Sequence, residues 1–130
     1  MSDALLDTSV VIAADESGTL DLPDRAAISV ITLGELRAGV LRAPDAGTRA
    51  LRERRLESLR ATFEAVPIDS HVAHHYGEAL AWVRSQGRAS KASDLLIIAT
   101  AAAGDLELVT LDRAQASVAR GVGVKVWGRG

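Results

Sequence analysis

Apolar and polar positions along the chain change period repeatedly, and the changes divide it into short strands and longer helices. Ala4-Leu5-Leu6 is a short apolar run that ends at Asp7 and reads as a first strand. Ser9 to Ala14 has a helical pattern, and Asp15 to Asp24, with Gly18 and Pro23, reads as loop. Ala27 to Ile31 is rich in β-branched residues and predicts a second strand. Thr32 opens a helix reaching about Leu41, and Pro44 interrupts it. Gly47 to Glu64 predicts the next helix, with Leu51, Leu56, Leu59 and Phe63 near one face. Val66 to Ile68 is a short third strand. Asp69 or Ser70 caps a helix to about Gln86, stopped by Gly87. Ala92 to Ala103 is a strongly apolar helix stopped by Gly104. Leu106 to Thr110 is a fourth strand, Arg113 to Ala119 a short helix, and Val122 to Trp127 a fifth strand. Strands alternating with helices predict an α/β domain with a mainly parallel sheet. With no repeat and no linker, residues 1–130 read as a single domain.

Composition narrows the chemistry. The chain has no cysteine, so disulfides and thiolate metal sites are excluded. No apolar run approaches the roughly 20 residues of a membrane span, and no basic leader precedes the first strand, so a cytoplasmic protein is expected. A net charge of −2 does not point to nucleic acid, but its distribution is uneven. Met1 to Asp24 carries six acids and no Lys or Arg, whereas Arg37 to Arg60 carries seven arginines against Asp45, Glu53 and Glu57. Arg84, Arg88 and Lys91 form a second basic stretch. One part of the molecule is thus suited to phosphates, although such runs also serve simply to solvate a helix face.

Four acids fall at related places in the predicted elements. Asp7 directly follows strand one, Glu35 lies in the first turn of the helix after strand two, and Asp112 sits just past strand four. In an open parallel sheet all strand C-termini share one edge, where ligands bind. Asp94, near the start of the apolar helix, joins them only if that helix points its N-terminus to the same edge. Two carboxylates ~4 Å apart repel by about 4 kcal/mol at an effective dielectric of ~20, so such a cluster calls for protons or a cation. Oxygen-only ligands suit Mg²⁺ or Mn²⁺, and a hard cation with open water positions supports attack on a phosphodiester.

Each acid also has a local explanation. Thr32 to Glu35 (TLGE) matches a capping box. Asp94 gains from the helix dipole, with Ser90 or Ser93 available as the cap. Asp7 and Asp112 are ordinary turn residues after strands. What these explanations leave out is an acid opening a helix whose remainder, Leu95 to Ala103, carries no charge and should be buried.

Other chemistries are weaker. His71, His74 and His75 share a helix, but two histidines at helical spacing lack zinc's third ligand. No nucleophile elbow, Walker loop or dinucleotide fingerprint occurs. Tyr76 and Trp82 read as packing or interface residues rather than a base-stacking platform. A receiver-like regulatory module would use Asp69 and Lys125, which fit poorly, and a D-x-D phosphatase has Ser9 where its second acid belongs.

The segments Leu5–Ala13 (LLDTSVVIA), Ile28–Val40 (ISVITLGELRAGV), Ser93–Ala101 (SDLLIIATA) and Leu108–Asp112 (LVTLD) resemble, in order and spacing, the four acidic blocks of PIN-domain proteins, most closely the VapC-type toxins. The resemblance covers nearly the whole chain. It implies a PIN-like three-layer sandwich with a central five-stranded sheet flanked by helices. It implies an endoribonuclease dependent on Mg²⁺, or Mn²⁺, with Asp7 and Asp94 as principal metal ligands and Glu35 and Asp112 completing the site directly or through water. Thr110 matches the family's T-x-D hydroxyl, and Thr8 is a further supporting hydroxyl. The resemblance also implies RNA as substrate, a cognate antitoxin whose tail blocks the acidic site, and a toxin homodimer. Thr32–Leu41 and Gly47–Phe63 are the expected helices for the antitoxin groove and dimer face. The competing reading is a PIN-like or receiver-like binding module without catalysis, and a short upstream gene for a DNA-binding protein would favour the toxin.

Overall fold

The computed structural model describes residues 2–17 and 22–128. Four strands, β1 (Ala4–Leu6), β2 (Ala26–Ser29), β3 (Glu64–Val66) and β4 (Glu107–Val109), pair in parallel in the order β3-β2-β1-β4. The helices are α1 (Thr8–Ser17), α2 (Val30–Leu41), α3 (Ala46–Thr62), α4 (Ser70–Ser85), α5 (Ala92–Ala103) and α6 (Arg113–Gly121).

The pleat sends successive strand residues to opposite faces. Leu5, Ala27 and Leu108 enter one core with Ala79 and Val83 of α4, Leu95 and Ile98 of α5, and Val118 of α6. Ala4, Leu6, Ile28 and Val109 enter the other with Val10 and Val11 of α1, and Leu36 and Leu59 of α2 and α3. Three layers result, with the expected buried helix α5 against the middle of the sheet: Leu95, Ile97, Ile98, Ala99, Thr100 and Ala101 are all buried.

The sheet has four strands rather than the expected five. The segment 122–127 makes one parallel bridge, Val126 with Leu108, held by Leu108 N–H to Lys125 O and Trp127 N–H to Leu108 O, each at 2.8 Å. Val122 still serves as the C-cap of α6, and Gly123 turns the chain at φ 88°, so few extended residues remain. Further boundaries shift for identifiable reasons. Ser29 caps α2 by accepting from Ile31 N–H at 3.0 Å, so that helix begins ahead of Thr32. β3 ends at Val66 because Pro67 cannot donate to a ladder. Asp45 caps α3 by accepting from Thr48 N–H, so the helix begins at Ala46, one residue before the expected start. α5 spans Ala92–Ala103 with Gly104 as its C-cap, as expected, and the next residue, Asp105, adopts a left-handed φ of 52°. α1 runs on to Ser17, and of the expected loop, Gly18 and Asp21 lie outside the described residues. Asp69 and Gly87 bracket α4 as anticipated, Asp69 accepting from Val72 N–H and Gly87 adopting φ 65°. Among the described residues no helix is long and apolar enough to cross a membrane.

Candidate active site

Strands β1, β2 and β3 step outward in one direction, whereas β4 pairs on the other side of β1. Such a reversal opens a crevice beyond the strand C-termini. Asp7, the first residue past β1, stands there. Its N–H donates to Val109 O at 2.8 Å, and its carbonyl accepts from Val10 and Val11 as α1 begins. The residue is 4% exposed, and its Oδ2 accepts from Ser9 Oγ at 2.8 Å and Thr110 Oγ1 at 2.9 Å. Those hydroxyls accept in turn: Thr110 Oγ1 from Asp112 N–H at 3.0 Å, and Ser9 Oγ from Leu111 N–H at 3.3 Å. The turn after β4 is thereby tied to the carboxylate that ends β1.

Glu35 is held from the same helix start. Thr8 Oγ1 donates to Glu35 Oε1 at 2.7 Å and lies 3.0 Å from Thr32 Oγ1. Thr8 and Ser9 are neighbours on α1, about 100° apart around its axis, so each serves a different acid. The capping-box explanation of Glu35 fails: Ser29 is the cap, Thr32 is fully buried inside α2, and Glu35 stands in the second turn rather than the first.

Asp94 occupies the first turn of α5. Lys91 holds the cap position without a side-chain capping bond, so neither Ser90 nor Ser93 caps the helix. Burial raises the Asp94 carboxyl above its ordinary value, the charges of Asp7 and Glu35 add to the rise, Lys91 opposes it, and Asp112 adds a smaller push upward. Asp94 is therefore within electrostatic reach of all three other acids, as expected if the N-terminus of α5 faces their edge of the sheet. Asp112 has a cap role as well, since its Oδ1 accepts from Ala114 N–H at 2.9 Å and Gln115 N–H at 3.2 Å. The side chain of Gln115, almost fully buried, reaches Asp94 O at 3.5 Å and joins α6 to the start of α5.

Ser9, Thr32 and Gln115 were not legible as site residues. The D-T-S triplet carries a hint, two hydroxyls directly after an acid, but their partners lie across the fold. The histidines have their own neighbour, with His74 and His75 at 3.1 and 3.6 Å from Glu78 of the same helix. Tyr76 and Trp82 pack against the core as expected. The arginine run is partly paired: Arg37 meets Glu53 at 3.2 Å, and Arg52 donates to Gly39 O at 2.8 Å.

Among the described residues no three His, Cys, Asp or Glu side chains form a ready cage for an ion, neither the histidines nor the acids. The donor set nonetheless fits a hard cation. Mg²⁺ keeps several waters and needs only one or two carboxylates, whereas zinc prefers a closed set of nitrogen or sulfur ligands. A mutually repelling oxygen cluster gains most from a positive guest. Beside the acids, α1, α2 and α3 line a groove of about 280 Å³ with Val11, Ile12, Leu36, Leu56, Arg52 and Glu35. A larger cavity, about 800 Å³, lies by the strand N-termini near Asp3 and Glu107 and includes none of the four acids.

Comparison with known proteins agrees with this architecture. The PIN domain family matches residues 4–121. Ribonuclease VapC5 of Mycobacterium tuberculosis is 40% identical over 111 residues, covering 83% of this chain and 82% of that protein. Ribonuclease VapC8 of the same species is 43% identical over 100 residues, covering 75% and 88%. Among solved structures, VapBC-5 from M. tuberculosis, a member of the VapBC family of toxin–antitoxin systems, superposes with a TM-score of 0.77 at 39% identity, covering 88% of this chain and 89% of that one. With matches of this extent, the chain belongs to the PIN-domain family and stands among its VapC members.

Proposed function

We propose that this chain is a metal-dependent endoribonuclease, the toxin of a toxin–antitoxin pair, and that Asp7, Glu35, Asp94 and Asp112 hold Mg²⁺ or Mn²⁺ at the C-terminal edge of the sheet. The observation that carries the reading is the Asp7 carboxylate at the end of β1, 4% exposed and held by Ser9 and Thr110, with Asp94 near enough for its carboxyl to be pushed upward by Asp7, Glu35 and Asp112. The ribonuclease names of the VapC relatives support the activity, and the toxin–antitoxin origin of the VapBC-5 structure supports the biological role.

A bound divalent cation supplies an activated water and neutralises charge on the scissile phosphate. The protein's part is orientation. Ser9 and Thr110 both donate to Oδ2 of Asp7 and fix its carboxylate, whose other oxygen would be available to hold the cation. Thr8 restrains Glu35 in the same manner. Asp112 caps α6 through Oδ1, so its Oδ2 completes the site directly or through water. Lys91, at the start of α5 with its charge near Asp94, would be the cation to meet an RNA phosphate beside the acids.

The groove of α1, α2 and α3 suits an antitoxin segment: an apolar stretch over Val11, Leu36 and Leu56, a basic side chain toward Glu35, and an acidic one toward Arg52. Of these, α2 and α3 are also the proposed dimer face. The toxin, free of its antitoxin, would act on RNA in the cytoplasm.

Calorimetric titration of EDTA-stripped protein with Mn²⁺ tests the site. Binding is expected, with Asp7→Asn and Asp94→Asn each abolishing or strongly weakening it. Saturation near 100 times Kd should stabilise the parent fold by about 2.7 kcal/mol. Absence of binding, or binding undiminished in both variants, contradicts the proposal.

A further inference from the structure

We infer that Thr32 is a positioning residue for the reaction proposed above: its buried hydroxyl fixes the direction of the Thr8 hydroxyl and, through it, the carboxylate of Glu35. The inference rests on the nuclease reading for its consequence, and on hydrogen-bond directions for its geometry.

Thr8 Oγ1 lies 2.7 Å from Glu35 Oε1 and 3.0 Å from Thr32 Oγ1. A hydroxyl has one proton to give. An ionised carboxylate only accepts, so the Thr8 proton is directed to Glu35 and Thr32 must be the donor in the Thr8–Thr32 pair. Thr32 is 0% exposed, so no bulk water replaces it there. A threonine inside a helix commonly returns its hydroxyl to the carbonyl four residues back. Thr100 does so, bonding Leu96 O at 2.7 Å. Thr32 stands in the first turn of α2, where the carbonyl four residues back, that of Ile28, belongs to β2 rather than to the helix, and its hydroxyl reaches across to α1, 24 residues away in sequence. Glu35, three positions further along α2, shares the face on which Thr32 meets α1. Its side chain is exposed, and without a directed donor a long carboxylate samples several rotamers. The chain Thr32 to Thr8 to Glu35 thus extends a constraint from the core to a solvent-facing acid.

The test compares T32V, nearly isosteric but without the hydroxyl, with T32S, which keeps it. Crystal structures read the Glu35 orientation, Mn²⁺ titration reads affinity, and cleavage of an RNA oligonucleotide separates kcat from KM. In T32V the Glu35 carboxylate is expected to leave its orientation or spread over several, with Mn²⁺ affinity and kcat falling about tenfold and KM for RNA unchanged. T32S should stay close to the parent. T8V, altered at a less buried position, tests the second link of the chain: it should reproduce the T32V loss, and a parent-like Glu35 orientation and Mn²⁺ affinity in T8V overturn the inference. Glu35 unmoved in T32V with parent-like Mn²⁺ affinity overturns the inference, as does T32S being impaired as severely as T32V. Should the parent bind no Mn²⁺ and cut no RNA, the nuclease reading falls, while the orientation of Glu35 in the crystal structures still decides the role of Thr32.

Discussion

Asp94 stands where the dipole of α5 favours an anion, yet burial and the charges of Asp7 and Glu35 hold its carboxyl above the ordinary value of 3.8. A carboxyl raised in the folded state binds protons more readily there than in the unfolded chain. Stability from this group is therefore greatest below 3.8 and declines as pH rises from there through the raised folded value. Asp94→Asn should accordingly melt higher than the parent at pH 7 in EDTA, with the gap closing as pH falls through that window, as followed by thermal unfolding at stepped pH. Equal melting temperatures across the range would remove the electrostatic tension on which the site is argued. Asp112 separates two roles more simply. Asparagine caps helices about as well as aspartate, whereas alanine in its place costs about 1 kcal/mol. Asp112→Asn should keep the parent melting temperature yet lose cleavage, and Asp112→Ala should lose both. The four acids were visible in the sequence because each follows a strand or opens a helix. Thr8 and Thr110 were legible through the family resemblance, but Ser9 and Thr32 were not, and which acid each hydroxyl serves was hidden because Thr110 meets Asp7 across 103 residues of chain.

At the scale of elements, the end of α6 is fixed by contact with α4. A Cβ on Gly121 would lie 2.2 Å from the Trp82 ring, which Arg88 covers from 5.6 Å. Gly121→Ala should lower stability by about 1–3 kcal/mol through overpacking, read as a shift in denaturant midpoint, with metal affinity intact. No change would show that α6 and α4 are not closely packed. Elements of strong period, such as α4 and α5, were readable with their caps. Errors gathered where a short apolar run admits two periods. Ile28-Ser29-Val30-Ile31 looks like continuous strand, but Ser29 turns it into a helix start, which also moved Glu35 deeper into α2 and removed its capping role. Val122 to Trp127 has strand composition, yet the turn out of α6 consumes Val122 and Gly123, leaving a bridge. Parallel pairing itself was legible from the alternation of strands and helices, although the strand order was not.

For the whole molecule, the arrangement separates functions along the sheet axis. The C-terminal edge gathers the acids, and α3, carrying five arginines against two glutamates, stands beside it across the groove with α2. An acidic centre with a basic flank fits a polyanion that must be held near a cation, and the same groove fits a peptide of mixed charge that displaces it. The central claim is that the four acids form the centre of a metal-dependent ribonuclease. The most direct test is cleavage of total cellular RNA by purified, antitoxin-free protein in Mg²⁺, in Mn²⁺ and in EDTA, beside Asp7→Ala and Asp94→Ala with folding verified by circular dichroism. The account predicts cleavage that requires the metal and disappears in both variants. Folded parent protein that cuts nothing, or variants that cut as well as the parent, would contradict it and return the four acids to the roles of caps and turns.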